Sequence, residues 1–296
     1  MNNLKRILVC VIAFVSLGSA IALSADPQTV AYWRFEEGTA NANAVGANTI
    51  LDSSGNNLNG TPYNNPVYRA NVPVATIPQT GAADALSMQF GASYQRVFIS
   101  DDPKFQLTHS LTLEAWIKPT SSTQYGILLV RANDRPGHDP YYLSVNDPYD
   151  TRHVGSNIDF RIENDSGGEA YVSAALPPLN QWSHIAATLD DSTGAISMYI
   201  NGTLVALDTT SIRPFAALSG QNPGIGIGNL QWTIGDEPFA GLIDEVRITN
   251  GLLAPNQFLD AVPEPASLSL LALGFALSLS KGGLAVIRRR PKGARP

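Results

Sequence analysis

Phe-Ala-Gly-Leu-Ile-Asp-Glu-Val-Arg-Ile-Thr, residues 239–249, is the stretch whose reading decides the fold. It reads as one long strand late in the chain. Strict alternation would put Leu242, Asp244, Val246 and Ile248 on one face, and Ile243, Glu245 and Arg247 on the other. A carboxylate then stands among aliphatic side chains. A buried charge needs a counter-charge, a metal ion or several hydrogen bonds, so Asp244 is the most informative acid in the chain.

Outward from that strand, period-two runs dominate. Residues 29–36, 85–90, 96–100, 110–118, 126–131, 141–145, 158–163, 170–176, 182–189, 196–200, 203–207 and 225–228 all read as strands. The clearest is 110–118, where Leu111, Leu113, Ala115 and Ile117 alternate with Thr112, Glu114, Trp116 and Lys118. Asn201-Gly202 between two runs predicts a type I′ hairpin, whose two central residues need positive φ. Residues 60–86 read as a long irregular loop and 133–155 as an expanded one. No segment before Pro263 has a helical stripe. So many short strands joined by turns predict an all-β, antiparallel two-sheet sandwich in one domain, residues 26–261.

The chain has 296 residues, 15% charged and 44% hydrophobic, with a formal net charge of −6. That figure conceals a split. Lys5, Arg6, Lys281, Arg288, Arg289, Arg290, Lys292 and Arg295 lie at the two ends, leaving the body with 11 basic residues against 24 acidic ones. A surface so acidic repels phosphates and is a poor nucleic-acid binder. The one cysteine, Cys10, lies in the leader, so the body has neither a disulfide nor a thiol nucleophile.

Residues 1–25 have a short basic start, an apolar run and small residues at their end, the pattern of a secretory signal peptide. At the other terminus Val262-Pro263-Glu264-Pro265 stops any strand. Residues 266–287 then form an apolar run, which spans roughly 33 Å as a transmembrane helix. Arg288-Arg289-Arg290 closes it and sets the C-terminus on the cytoplasmic side.

Val-Pro-Glu-Pro, apolar helix and arginine cluster, in that order at residues 262–296, resemble the PEP-CTERM sorting signal of Gram-negative bacteria. The resemblance implies an exosortase-type membrane protease as partner, cleavage near residues 263–265, and delivery to the cell surface or extracellular matrix. The body resembles laminin-G-like, concanavalin-A-like jelly-roll domains. The matching pieces are Trp33-Arg-Phe-Glu-Glu-Gly38, Asp52-Ser-Ser-Gly-Asn56 with Gly60, Leu111-Thr-Leu-Glu-Ala-Trp-Ile-Lys-Pro119, Gln181-Trp-Ser-His-Ile-Ala186, Met198-Tyr-Ile-Asn-Gly202 and residues 241–248. This resemblance implies a jelly-roll sandwich that often carries one calcium ion.

In that family the first and last strands lie close together. This draws Glu36, Asp52, Asn56 and Asp244 into one oxygen-rich site for a structural calcium. The opposing expectation has Asp52 capping a turn and Asp244 satisfied by hydrogen bonds. Trp33, Trp116 and Trp182 fall in strands and read as core. The ligand-stacking candidates are Tyr141, Tyr142, Tyr149 and Trp232, read in predicted loops; Tyr141-Tyr142 lie beside Asp139, Asn146 and Asp147, a mix that could grip hydroxyls. No catalytic residue emerges. Asp244 and Glu245 are adjacent and diverge, the four histidines have no zinc spacing, and no Glu-x-Asp-x-x-Glu strand is present. The expected function is a surface or matrix protein that binds carbohydrate or an extracellular protein. Its alternatives are a divergent polysaccharide hydrolase and a structural coat protein.

Overall fold

The computed structural model describes residues 26–133, 139–148, 156–232 and 235–262. The signal-peptide, sorting-motif and membrane-helix expectations, from Pro263 onward and before Asp26, lie outside these residues, as does Tyr149. Among the described residues no helix is long and apolar enough to cross a membrane.

Fifteen strands follow in order: β1 (Gln28–Trp33), β2 (Thr61–Tyr63), β3 (Val67–Arg69), β4 (Ser87–Phe90), β5 (Arg96–Ser100), β6 (Leu111–Pro119), β7 (Gly126–Ala132), β8 (Tyr141–Val145), β9 (Asn157–Glu163), β10 (Glu169–Ala175), β11 (Ser183–Leu189), β12 (Ala195–Ile200), β13 (Thr203–Thr209), β14 (Gly224–Ile227) and β15 (Gly241–Asn250). They form two antiparallel sheets, ordered β13-β12-β11-β6-β15-β4-β3 with β1 also on β15, and β10-β9-β8-β7-β14-β5-β2. This is an all-β, jelly-roll-like sandwich. Its core lies between the sheets, around Trp33, Phe35, Phe105, Tyr141, Phe160 and Phe239, all fully buried. The hairpin at Asn201-Gly202 has φ of 50° and 71°, as the dipeptide demands.

β15 is the hub of the larger sheet. It pairs with β6 along one side, while its other side is shared between β4 at its start and β1 at its end. The expected alternation fails in its middle. Asp244 faces Trp116 and Arg247 faces Glu114, so the strand carries one extra residue there, a β-bulge, and Glu245 takes φ 51°. The facings therefore change. Ile243, Val246 and Ile248 enter the core, while Asp244 and Arg247 turn to the outer surface of the sheet. Asp244 does not share a face with Val246 and Ile248. The polar loop expected before β4 also proves structured, contributing β2 and β3.

The outer surface of the larger sheet is partly roofed by residues 251–260. Buried Glu114 holds that roof. Its Oε2 accepts from Arg247 Nε at 2.7 Å, and its Oε1 accepts from the Leu259 amide at 2.8 Å and lies 3.3 Å from His184 Nε2. Arg247 Nη2 donates to the Gln257 carbonyl at 2.9 Å, and His184 Nδ1 lies 3.2 Å from Asp260. Phe258 seals the arrangement against Tyr199 and His184. His184 is thus a fully buried structural residue. Burial by itself would raise the Glu114 carboxyl. The His184 ring and the Arg247 charge outweigh it and hold that carboxyl below its ordinary value.

A depressed carboxyl contributes stability that is complete above the ordinary carboxylate range, about pH 4, and is lost as pH falls through its lower folded value. Glu114→Ala should destabilise by about 3–5 kcal/mol in urea unfolding, because it strands Arg247 and His184. Glu114→Gln should flatten the acid limb of stability against pH; an unchanged acid limb would refute the roof-holding role.

Candidate functional site

The bulge in β15 brings acids together. β1 ends where Phe35 adopts φ 60°, and Arg34 and Glu36 flank that kink. The strand-preceding segment supplies Asp84. Carboxylate oxygens of Glu36, Asp84 and Glu245 all lie within 4.8 Å of one another. The fully buried carboxyl of Asp244 feels the charges of Asp84 and Glu36. Among the described residues one cation answers these acids: Arg34 Nη2 lies 2.9 Å from Glu245 Oε1 and also donates to the Ala83 carbonyl. Tyr32 donates its hydroxyl to Glu245 as well. Glu36 Oε1 accepts from the Ala85 and Leu86 amides at 2.9 and 3.1 Å.

That leaves buried oxygens over. Among the described residues, neither oxygen of Asp84 nor Oδ2 of Asp244 makes a well-formed hydrogen bond, although Glu36 and the Val74 backbone stand beside Asp84, while Asp244 Oδ1 accepts from the Glu245 amide at 2.9 Å. The crowding shows in the proton affinities. Burial, then the neighbouring Glu36, pushes Asp84 up to about 7. Burial pushes Glu245 up to about 8. Asp244 is raised well above the ordinary range by burial and then by Asp84. Four carboxyls beside one guanidinium must either keep protons or share a cation. Unpartnered oxygens of hard carboxylates suit calcium's preference for oxygen ligands, so Glu36, Asp84 and Glu245, with Asp244 near enough to feel their charge, are the residues that could hold one.

This set overlaps the expected one only in part. Glu36 and Asp244 belong to it. Asp52 does not: its oxygens accept from the Tyr32, Ser54 and Leu58 amides and the Ser54 hydroxyl at 2.8–3.0 Å, a saturated turn that ties this segment to β1. Asn56 Nδ2 donates to the Val30 carbonyl at 2.9 Å, in the same structural role. Asp84 was missed because it sits in a stretch without periodicity. Glu245 was missed because only the bulge brings it beside Asp84.

The aromatic candidates separate likewise. Tyr141 is in β8, fully buried, with its hydroxyl donating to the Phe105 carbonyl at 3.0 Å; it is core, and no ligand can stack on it. Tyr142 is buried on the outer side of the smaller sheet, its hydroxyl 3.1 Å from Asp147 and its ring beneath Arg161. Trp232 is half-buried and stands edge-on to Phe98 and Tyr63, with ring centroids 6.0 and 6.3 Å apart. Tyr63 and Tyr94 are 37% and 41% exposed, so aromatic surface is open to solvent along β2 and β5. The Arg96 guanidinium lies 5.7 Å from the Tyr63 ring. Trp33 is core as expected, whereas Trp182 is half-buried and donates its indole N–H to Asn71 at 2.8 Å.

Comparison with known proteins agrees with this architecture. The laminin-G-type family model described as the concanavalin A-like lectin/glucanases superfamily matches residues 90–257. Over 166 residues, 56% of this chain, the sequence is 25% identical to the adhesion G-protein coupled receptor V1 of Danio rerio, of whose length it covers 2%. Domain 4 of AbnA, an extracellular arabinanase of Geobacillus stearothermophilus solved with arabinotriose, superposes with a TM-score of 0.51 at 22% identity, covering 80% of this chain and 98% of that one. The botulinum neurotoxin serotype D binding domain gives 0.51 at 13% identity, covering 78% and 50%. At these identities the structural likenesses establish the fold.

A carboxyl whose folded value is raised keeps a proton that the unfolded chain has released. Its contribution is therefore present at low pH and is lost as pH rises from about 4 to about 8. In chelator, melting temperature should fall between pH 5 and pH 8, and Asp84→Asn should raise it at pH 8 by removing one crowded charge. A lower melting temperature for Asp84→Asn in chelator would refute the crowding.

Proposed function

The chain belongs to the concanavalin A-like lectin/glucanases superfamily, and from that premise we propose that it is an exported, non-catalytic carbohydrate-binding protein of the cell surface or extracellular matrix. The observation that carries the reading is the aromatic surface of the smaller sheet, where exposed Tyr63 and Tyr94 stand with half-buried Trp232. Flat rings exposed beside polar groups suit the apolar faces and the hydroxyls of sugar rings. The arabinanase domain solved with arabinotriose, which shares the fold, makes a saccharide the natural ligand to test first. The receptor relative fits an extracellular setting.

A single structural calcium, held by Glu36, Asp84, Asp244 and Glu245, belongs to this reading. The ion would neutralise the crowded acids and tie β1, the segment before β4 and the β15 bulge together. The sorting half of the proposal rests on residues 262–290. The Pro-Glu-Pro segment and the apolar helix would present the chain to an exosortase-type protease, and the arginines would fix its orientation.

A hydrolase is the second reading, favoured by one observation. Burial, then the neighbouring Glu163, pushes Asp139 up to about 8, and the Asp139 amide donates to Glu163 Oε2 at 3.3 Å, so a carboxyl with a raised proton affinity stands near a second acid. A substrate-dependent rise in reducing ends that Glu163→Gln abolishes would favour it over the binding reading.

On a panel of immobilised polysaccharides, the full chain should bind at least one saturably, and Trp232→Ala should weaken that binding about tenfold, the scale of one aromatic contact. Undiminished binding by Trp232→Ala would remove the aromatic surface from the site. Calcium should raise the melting temperature, more at pH 8 than at pH 5, and Asp244→Asn should blunt the effect. In cells, Pro263→Ala with Pro265→Ala should accumulate unprocessed chain in the membrane fraction; normal processing would contradict the sorting signal.

A further inference from the structure

A second polar surface lies on the opposite side of the sandwich, where the larger sheet is not roofed by residues 251–260. There a groove of about 380 Å³ opens over β3, β4, β15 and β6. The register builds its floor: Leu242 stands opposite both Lys118 and Gln89, and Arg69 projects from the neighbouring β3. Asn41 and Asn71 line its rim.

The hydrogen bonds inside this groove are one-sided. Arg69 Nε donates to Gln89 Oε1 at 2.6 Å and Arg69 Nη1 donates to Asn41 Oδ1. Lys118 Nζ and the Trp182 indole both donate to Asn71 Oδ1, at 3.2 and 2.8 Å. Arginine, lysine and indole can only donate, so these bonds settle which end of each amide is which. Each side-chain amide oxygen at the groove therefore already accepts from a cation or the indole. The donors left over are the amide nitrogens of Asn41, Asn71 and Gln89, Arg69 Nη2, and the other protons of Lys118. The groove is a donor surface around an apolar floor at Leu242.

Charge points the same way. The body is strongly acidic, and Arg34, Lys104, Arg131, Arg161, Arg213 and Arg247 each sit against a carboxylate. Buried Arg96 has the charge of Asp236 near it. Among the described residues, Arg69 and Lys118 form no ion pair, and they share one groove. Two uncompensated cations with three free amide donors match a ligand that offers an oxyanion together with ring and hydroxyl oxygens.

We infer that this groove binds an acidic sugar unit, a ring bearing a carboxylate or a sulfate, within an extracellular polysaccharide. The inference rests on the carbohydrate-binding reading and adds to it a second site, on the other sheet, with a preference for charge. The carboxylate or sulfate lies between Arg69 and Lys118, the amides take hydroxyl oxygens, and Leu242 contacts the apolar face of the ring.

The test uses the full chain in two backbone-matched comparisons at physiological ionic strength: polygalacturonate against its neutral methyl ester, and dextran sulfate against dextran. At least one anionic polymer should bind ten times or more tightly than its neutral counterpart, with an affinity that falls as salt rises. Arg69→Gln with Lys118→Gln should erase that preference while leaving melting temperature and any Trp232-dependent binding unchanged. Carboxylate-only or sulfate-only binding identifies the source of the charge, and either supports the inference. Equal binding of charged and neutral partners, or a preference that survives the double substitution, overturns it. So does poly-glutamate that binds as tightly through the same two residues, since the groove would then read charge without sugar. If neutral polysaccharide still binds through Trp232 while no charge preference exists, only the groove has failed; if nothing binds, the carbohydrate reading fails with it.

Discussion

The larger sheet depends on carrying charge through its middle. β15 must pair on both sides to join β6 with β1 and β4, yet it brings Asp244, Glu245 and Arg247 into surroundings with almost no water. A regular strand would drive one of these groups into the apolar core, where an isolated charge costs far more than a strand can supply. The extra residue at the bulge resolves this. It keeps Ile243, Val246 and Ile248 inward and sends Asp244 and Arg247 outward. The cost is a left-handed backbone at Glu245, on the order of 1–3 kcal/mol for a non-glycine residue. Glu245's hydrogen bonds to Tyr32 and Arg34 hold that conformation in place.

The two halves of the strand solve the charge problem differently. At its C-terminal half, Arg247 and His184 face Glu114, and the roof supplies the Leu259 amide as donor and the Gln257 carbonyl as acceptor, so each charge there meets an opposite one. At the bulge, acids outnumber cations and three oxygens make no well-formed hydrogen bond. Charge-paired networks rigidify, while clusters with an excess of one charge mark places where protons or ions complete the structure. The same strand therefore contributes one purely structural site and one with capacity to spare.

Much of this was legible in the sequence, and the failures have a common cause. Alternation at 110–118 and the Asn201-Gly202 turn are local signals, and the folded chain honours them. Asp244 was recognisable as a buried acid because its neighbours are aliphatic. Its partners were not, since the bulge shifts the facings by one residue and Asp84 reaches the site from an aperiodic loop. Asp52 and Asn56 look like ligands in a one-dimensional reading because oxygen-rich turns and oxygen-rich metal sites share a composition; only the hydrogen bonds tell them apart. Tyr141 and Tyr142 read both as part of a strand and as ligand-gripping loop residues; the strand reading holds, and in β8 the pleat sends one into the core and the other beneath Arg161.

The acidity of the body also changes what its cations mean. In a protein with balanced charge, an arginine and a lysine on a sheet surface carry little information, because exposed pairs form and break at small cost. Here acids are in excess, and the other described cations sit against or near carboxylates. An unpaired cation is therefore an unusual feature that nearby acids could have removed at almost no cost. Arg69 is instead oriented by the oxygens of Gln89 and Asn41, neutral groups that fix its position without cancelling its charge. Lys118 is treated the same way by Asn71. Amides that position a charge and leave it uncompensated keep its electrostatic attraction available for a ligand, which carboxylates in the same places would cancel.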